Sequence, residues 1–166
     1  ETPWRNLTGE HVSTIDVDGT TLLKVAPQAI ELLAEVAMRD IAHLFRPGHL
    51  AQLAAILDDP EASDNDRYVA LELLKNANVS AGMVLPSCQD TGTAIVMGKK
   101  GQYVWTAGTD EAALSQGISA QYTQAHLRYS TMDPPDTHEQ VNPGPNLPAH
   151  HPTYPPDGDH DQCPVI

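Results

Sequence analysis

Apolar positions along the first 25 residues follow a strand-like pattern. From Ser13 to Val17 and again from Thr20 to Val25, β-branched and aliphatic residues flank the pair Asp18-Gly19. Such a pair between two such runs is the strongest short-range hairpin signal, because the favoured two-residue turn needs positive φ at both central positions. The period then changes. After Pro27, suited to a first helical turn, apolar residues recur at Ile30, Leu33, Ala37, Ile41 and Leu44. They trace one face of a helix over 28–45, bounded by Arg46-Pro47. A second, short helix from His49 to Leu57 stops before Asp58-Asp59-Pro60. Ser63 and Asp66 have the spacing of a capping box with Asp in the usual Glu place. Val69, Leu71, Leu73 and Leu74 come next as the apolar positions of a third helix expected to be buried, which ends within 76–82.

The second half begins with Met83-Val84-Leu85, an apolar run entering a polar turn expected to be non-helical from Pro86 to Gly92. Ala94 to Met97 and Gln102 to Thr106 are predicted strands, joined through Gly98-Lys99-Lys100-Gly101 as a second hairpin with a solvated tip. Thr109 is placed to cap a fourth helix over 110–128, carrying Ala112, Leu114, Ile118, Tyr122 and Leu127. Asp110 and Glu111 lie at the positive end of its dipole. Helices and hairpins alternate without repeated strand-helix-strand units, so the pattern predicts an α+β fold rather than a doubly wound sheet.

Composition divides the 166 residues in two. All nine Lys and Arg lie at or before Arg128. From Asp133 to Ile166 there are six acids, no base and nine of the 14 prolines. That stretch holds too few aliphatic side chains to offset its ordering entropy, so the expected organisation is a body over 1–132 and an irregular, Pro-rich acidic tail over 133–166. The formal charge of −13 disfavours sequence-independent binding to nucleic acid or to anionic membrane, both of which need a basic face. No apolar run approaches the roughly 18 residues of a membrane span. Two cysteines, Cys88 and Cys163, make no disulfide framework, so the expected compartment is reducing and cytoplasmic. A mitochondrial address stays open because residue 1 is Glu rather than Met.

Cys88 is the residue richest in chemistry. A cysteine is often a small buried hydrophobe, but this one begins Cys88-Gln89-Asp90-Thr91-Gly92. The run combines a soft thiolate, an amide that donates and accepts, a carboxylate, a hydroxyl, and a glycine that lets backbone approach a bound group. Such a set suits a metal-cluster site. His150, His151, His160 and Cys163 fit no standard structural zinc spacing. His43 and His49 are expected at the surface or at helix ends.

The segments Leu85 to Ala94, Gly98 to Gln102, Trp105-Thr106, Asp110 to Leu114 and Leu127 to Ser130 closely resemble the N-terminal domain of the class I, iron-sulfur fumarate hydratases. So do Leu23 to Pro27, Arg46-Pro47 and Asp59 to Leu71. The likeness extends over residues 1–149; after that only Asp157-Gly158-Asp159 still resembles the family, and a truncated or frame-altered end is expected. The Cys-Gln-Asp-Thr-Gly motif alone also admits the related tartrate dehydratases.

The resemblance implies reversible hydration of fumarate to malate in the tricarboxylic acid cycle, by a homodimeric lyase with a 4Fe-4S cluster. One iron of that cluster is left open as a Lewis acid for the hydroxy-dicarboxylate. Cys88 would be one of three cluster thiolates, Gln89 and Asp90 would contact substrate, with Asp90 catalytic, and Arg128 would grip a carboxylate. A planar guanidinium suits that last task because it binds carboxylate through two parallel hydrogen bonds. The family's other two cluster cysteines have no counterpart here, and Cys163 matches neither motif. The expectation is therefore a fragment, inactive alone. The alternative is a non-catalytic remnant or interaction module.

Overall fold

Asp18 and Gly19 both take positive φ, 48° and 80°, as the hairpin signal required. They join β1 (Val12–Val17) to β2 (Thr20–Val25) in antiparallel register, with Val17 opposite Thr20 and Val12 opposite Val25. The computed structural model describes residues 4–88, 93–127, 149–150 and 153–154. The chain folds as two units, one of residues 1–5 and 39–89 and the other of residues 6–38 and 90–166. Helix α1 (Pro27–His43) contributes to both.

In the unit of residues 6–38 and 90–166, β5 (Val104–Thr106) adds to the edge of β2 in parallel, giving the order β1-β2-β5. The Leu23 N–H donates to the Tyr103 carbonyl at 2.8 Å. The Lys24 ammonium stands 5.3 Å from the ring centre of Trp105, its register partner, a cation–π pair across the strands. This pairing replaces the second hairpin expected from 94–97 and 102–106. Residues 104–106 pair with β2 instead, and the supposed turn residues Gly98–Lys99 are themselves a strand.

Two further short ladders run in parallel. Strand β3 (Ala94–Ile95) pairs with β6 (Ala149–His150), and β4 (Gly98–Lys99) with β7 (Thr153–Tyr154). Ala94 is the register partner of Ala149 and Gly98 that of Thr153, so the two small sheets keep one register. Strands β6 and β7 fall inside the segment expected to be irregular. Each strand is only two residues long, too short for a periodic pattern of apolar positions to signal it. The expected boundary at 132–133 lies outside the described residues.

The core of this unit is built by helix α4 (Asp110–Gln124). Ala113, Gly117, Ile118, Gln121 and Tyr122 are its buried positions, spaced as one helical stripe. Leu127 joins them, and α1 contributes Ala34. On α1 the stripe expected through Leu33 and Ile41 is not the buried one. Those side chains are 53% and 70% exposed, whereas Ala34 is 3% exposed. The cause is Gly117: a Cβ built there would collide with the Glu31 carbonyl oxygen and lie 2.8 Å from the Ala34 Cβ. Backbone meets backbone at that crossing, and only small residues fit. Helix α4 ends at Gln124 rather than 128, with His126 at φ 52° turning the chain. Thr109 occupies the N-cap in extended conformation, but its side chain makes no capping hydrogen bond.

In the other unit, α2 (Pro47–Asp58) starts with proline in its first turn, and α3 (Asp64–Ser80) begins with the expected capping box. Val69, Leu71 and Leu73 of α3, expected to be buried, are exposed, because the helix turns its small-residue face of Ala70, Ala77 and Ser80 inward. The Asp66 N–H donates to Ser63 Oγ at 3.2 Å, and the Ser63 N–H donates to Asp66 Oδ2 at 2.9 Å. The Ser63 hydroxyl and N–H together hold the Asp66 carboxyl below the usual carboxylate range.

Candidate functional site

The end of α1 and the end of α3 together hold the loop that leads to Cys88. Ala81 and Gly82 turn the chain out of α3, their N–H groups donating to Ala77 and Val79 carbonyls at 3.0 and 3.1 Å. Met83 then reverses direction at φ 61°, its N–H donating to the Ser80 carbonyl at 2.9 Å. A left-handed position without glycine costs roughly 1 kcal/mol, which the surrounding hydrogen bonds must offset.

Three side-chain and backbone contacts fix the rest of the loop. Ser80, fully buried, donates its hydroxyl to the His43 carbonyl at 2.9 Å, with the Ala77 carbonyl at 3.1 Å. The Ser87 N–H donates to the Ala42 carbonyl at 2.8 Å. The Asn76 amide Nδ2 donates to the Ser87 carbonyl at 2.9 Å. Ser87 is thus held through both its backbone groups immediately before Cys88. Pro86, with φ preset by its ring, stiffens the approach.

His43 takes the helix-end alternative expected for it, closing α1, and is only 2% exposed. Its Nδ1 lies 2.7 Å from the Arg39 carbonyl oxygen. A carbonyl only accepts, so Nδ1 carries the proton. This ring anchors the last turn of α1, whose carbonyls receive Ser80 and Ser87. Nothing in the apolar pattern marked it, because a buried histidine with one local acceptor has the same sequence context as a surface one.

Cys88 itself is exposed and non-helical. The non-helical stretch expected from Pro86 is observed through Cys88; Gln89, Asp90, Thr91 and Gly92 lie outside the described residues, as does Arg128. Cys163, His151 and His160 also lie outside them, and of His150 only the backbone is described. Among the described residues no group of three or more His, Cys, Asp and Glu converges as a metal site. An exposed thiol on a backbone-anchored loop fits the role of one thiolate ligand to a cluster. The described donor set stops at that one.

Two other polar features stand apart from this loop. Lys100, expected in a solvated turn, instead donates to Thr106 Oγ1 at 2.6 Å and to Asp110 Oδ2 at 2.9 Å. Burial pushes the Asp110 carboxyl up, but the hydrogen bonds from Thr106 and Lys100 and the Lys100 charge outweigh it and leave the group below its ordinary range. The triad ties the start of α4 to β5 and serves the fold. Between α2 and α3 lies a groove of about 520 Å³, with Leu53, Ile56, Val69 and Leu73 along it and Asp59, Glu61 and Asp66 at its edge. No basic residue lines it, so it offers no counter-charge to a dicarboxylate.

A family model described as fumarate hydratase (fumerase) matches residues 31–164. The match runs past residue 149, where the motifs legible in the sequence end. The chain is 53% identical over 159 residues to the aerobic class I fumarate hydratase of Escherichia coli strain K12, and 54% identical over 153 residues to the anaerobic class I enzyme of the same strain. It is 47% identical over 151 residues to fumarate hydratase 1, mitochondrial, of Leishmania major. These alignments cover 96%, 92% and 90% of this chain but 29%, 28% and 28% of the relatives. The chain therefore spans less than a third of the length of the relatives it matches. No described helix is long and apolar enough to cross a membrane.

Proposed function

Because the chain belongs to the fumarate hydratase family, we propose that it forms the N-terminal part of a class I enzyme that reversibly adds water to fumarate to give malate. Cys88 then supplies one thiolate to a 4Fe-4S cluster. The observation that carries this reading is the position of Cys88: an exposed cysteine on a loop clamped by Ala42 and Asn76, in a chain whose family match spans it. When bound, the cluster supplies a Lewis-acidic iron that polarises the substrate hydroxyl.

The chain's own residues do the remaining work in this reading. Gln89 hydrogen-bonds the bound acid, and Asp90 exchanges a proton at the hydroxyl-bearing carbon's oxygen. Arg128 anchors one carboxylate through its planar guanidinium. Earlier in the same loop, Val84 and Leu85 are 82% and 58% exposed, and an apolar approach excludes water from a site once another surface covers it. That coverage, and the two missing thiolates, belong to the rest of the enzyme in this proposal, as does a homodimeric assembly. The chain spans 29% of the aerobic Escherichia coli relative, which favours a chain that does not hydrate fumarate alone.

The test is a graft. Residues 1–166 replace the matching part of the aerobic E. coli relative, and fumarate hydration is followed after anaerobic iron-sulfide reconstitution. Activity that falls at least a thousandfold in Arg128→Ala, chiefly through kcat/KM, is the expected result. An inactive graft that is folded and loaded with iron would contradict the proposal, as would an Arg128→Ala graft of undiminished activity.

A further inference from the structure

We propose that Asn76 is a positioning residue for the Cys88 thiolate, an inference that rests on the cluster-ligand reading of Cys88. The loop from Met83 to Cys88 has no strand or helix of its own to hold it. Its final residue before the thiol, Ser87, is fixed from two directions. The Ala42 carbonyl at the end of α1 accepts its N–H at 2.8 Å, and the Asn76 amide on α3 donates to its carbonyl at 2.9 Å.

The peptide plane between Ser87 and Cys88 contains that carbonyl, so the Asn76 hydrogen bond sets the orientation of the plane that carries the Cys88 N–H and Cα. The Ala42 bond alone fixes only the preceding plane. Ser80 completes the arrangement by locking α3 to the His43 carbonyl, next along the chain from Ala42. Asn76 is solvent-exposed, and an asparagine late in a helix gains nothing from propensity. Its side chain instead reaches the residue immediately before the candidate ligand. A cluster needs its thiolates at fixed places, and Asn76 holds this one through its backbone.

The perturbation is Asn76→Asp, nearly isosteric but presenting a carboxylate to the Ser87 carbonyl. Asn76→Ala is the second variant, and Asn76→Gln keeps the amide one methylene farther out. In the 166-residue chain, hydrogen exchange of the peptide spanning 83–88 should accelerate about tenfold in the Asp and Ala variants, the population shift expected from one lost hydrogen bond. Peptides from α2 and the start of α3 should exchange as before. In the grafted enzyme the same variants should lose iron to a chelator about tenfold faster, with KM for fumarate unchanged. The Gln variant should recover part of both effects.

Unchanged exchange at 83–88, or accelerated exchange with unaltered iron loss, would overturn the positioning role. A Cys88→Ser graft that keeps its cluster would instead overturn the ligand reading, whatever Asn76 does. The two failures are thereby told apart.

Discussion

Replacing Gly117 with alanine reverses an expectation drawn from helix propensity. In an unobstructed helix interior, glycine to alanine stabilises by roughly 1 kcal/mol. Gly117 is buried in α4, and the added Cβ would collide with the Glu31 carbonyl oxygen and sit 2.8 Å from the Ala34 Cβ. Ordinary contact distances exceed these, and the opposing atoms are backbone and a Cβ, which cannot rotate away as a long side chain can. The helices must separate, opening packing around Ile118 and Tyr122, both essentially inaccessible to solvent. Overpacking of this kind costs about 1–3 kcal/mol, occasionally more, against the roughly 1 kcal/mol that propensity returns.

The expected outcome is a net destabilisation of about 1–2 kcal/mol. It should appear as a lowered denaturation midpoint with unchanged slope in urea, followed by far-ultraviolet circular dichroism. Ala34→Gly in the Gly117→Ala background should restore only part of the loss, since the Glu31 carbonyl remains in the way. Gly117→Ala protein that is as stable as the parent, or more so, would refute the close crossing of α1 and α4.

Met83 lies at φ 61° and is 42% exposed, so Met83→Gly should raise stability by up to about 1 kcal/mol; a loss on thermal unfolding would show that the methionine side chain supports the loop. The Asp110 carboxyl is held below its ordinary range, so its contribution is fully present above the unfolded pKa and is lost as pH falls through the folded one. Lys100→Met should therefore cost about 1 kcal/mol at pH 7. The gap to the parent should narrow below about pH 4, the ordinary carboxylate range, and close as pH falls through the lower pKa of folded Asp110. Urea titrations at both values check this, and a gap independent of pH would contradict it.

The first hairpin and the capping box of α3 were legible because each depends on residues adjacent in sequence. Asp18-Gly19 and Ser63 with Asp66 act locally, whereas Pro47, read only as a boundary, is the first residue of α2. What failed to show depends on partners far along the chain. Strand β5 pairs with β2, about 80 residues away, and the buried face of α1 is chosen by a glycine on α4. Lys100 looked like a solvated turn because Asp110 and Thr106, its partners, come together only in the folded chain. For the site the order was inverted. The motif around Cys88 was readable at once, whereas Asn76, Ser80 and His43, which hold its loop, carry no motif and are visible only through the hydrogen bonds they make.

If Cys88 holds iron as one thiolate of a cluster that this chain does not complete alone, the metal content must depend both on that thiol and on the remainder of the enzyme. Iron and acid-labile sulfide per chain, measured after anaerobic reconstitution of the graft and of its Cys88→Ser variant, address both dependences. A full 4Fe-4S complement in the graft, lost in Cys88→Ser and absent from the isolated 166-residue chain, is the expected outcome. A Cys88→Ser graft that retains its full complement would contradict the cluster-ligand assignment, and an isolated chain that acquires one would contradict the cluster's dependence on the rest of the enzyme.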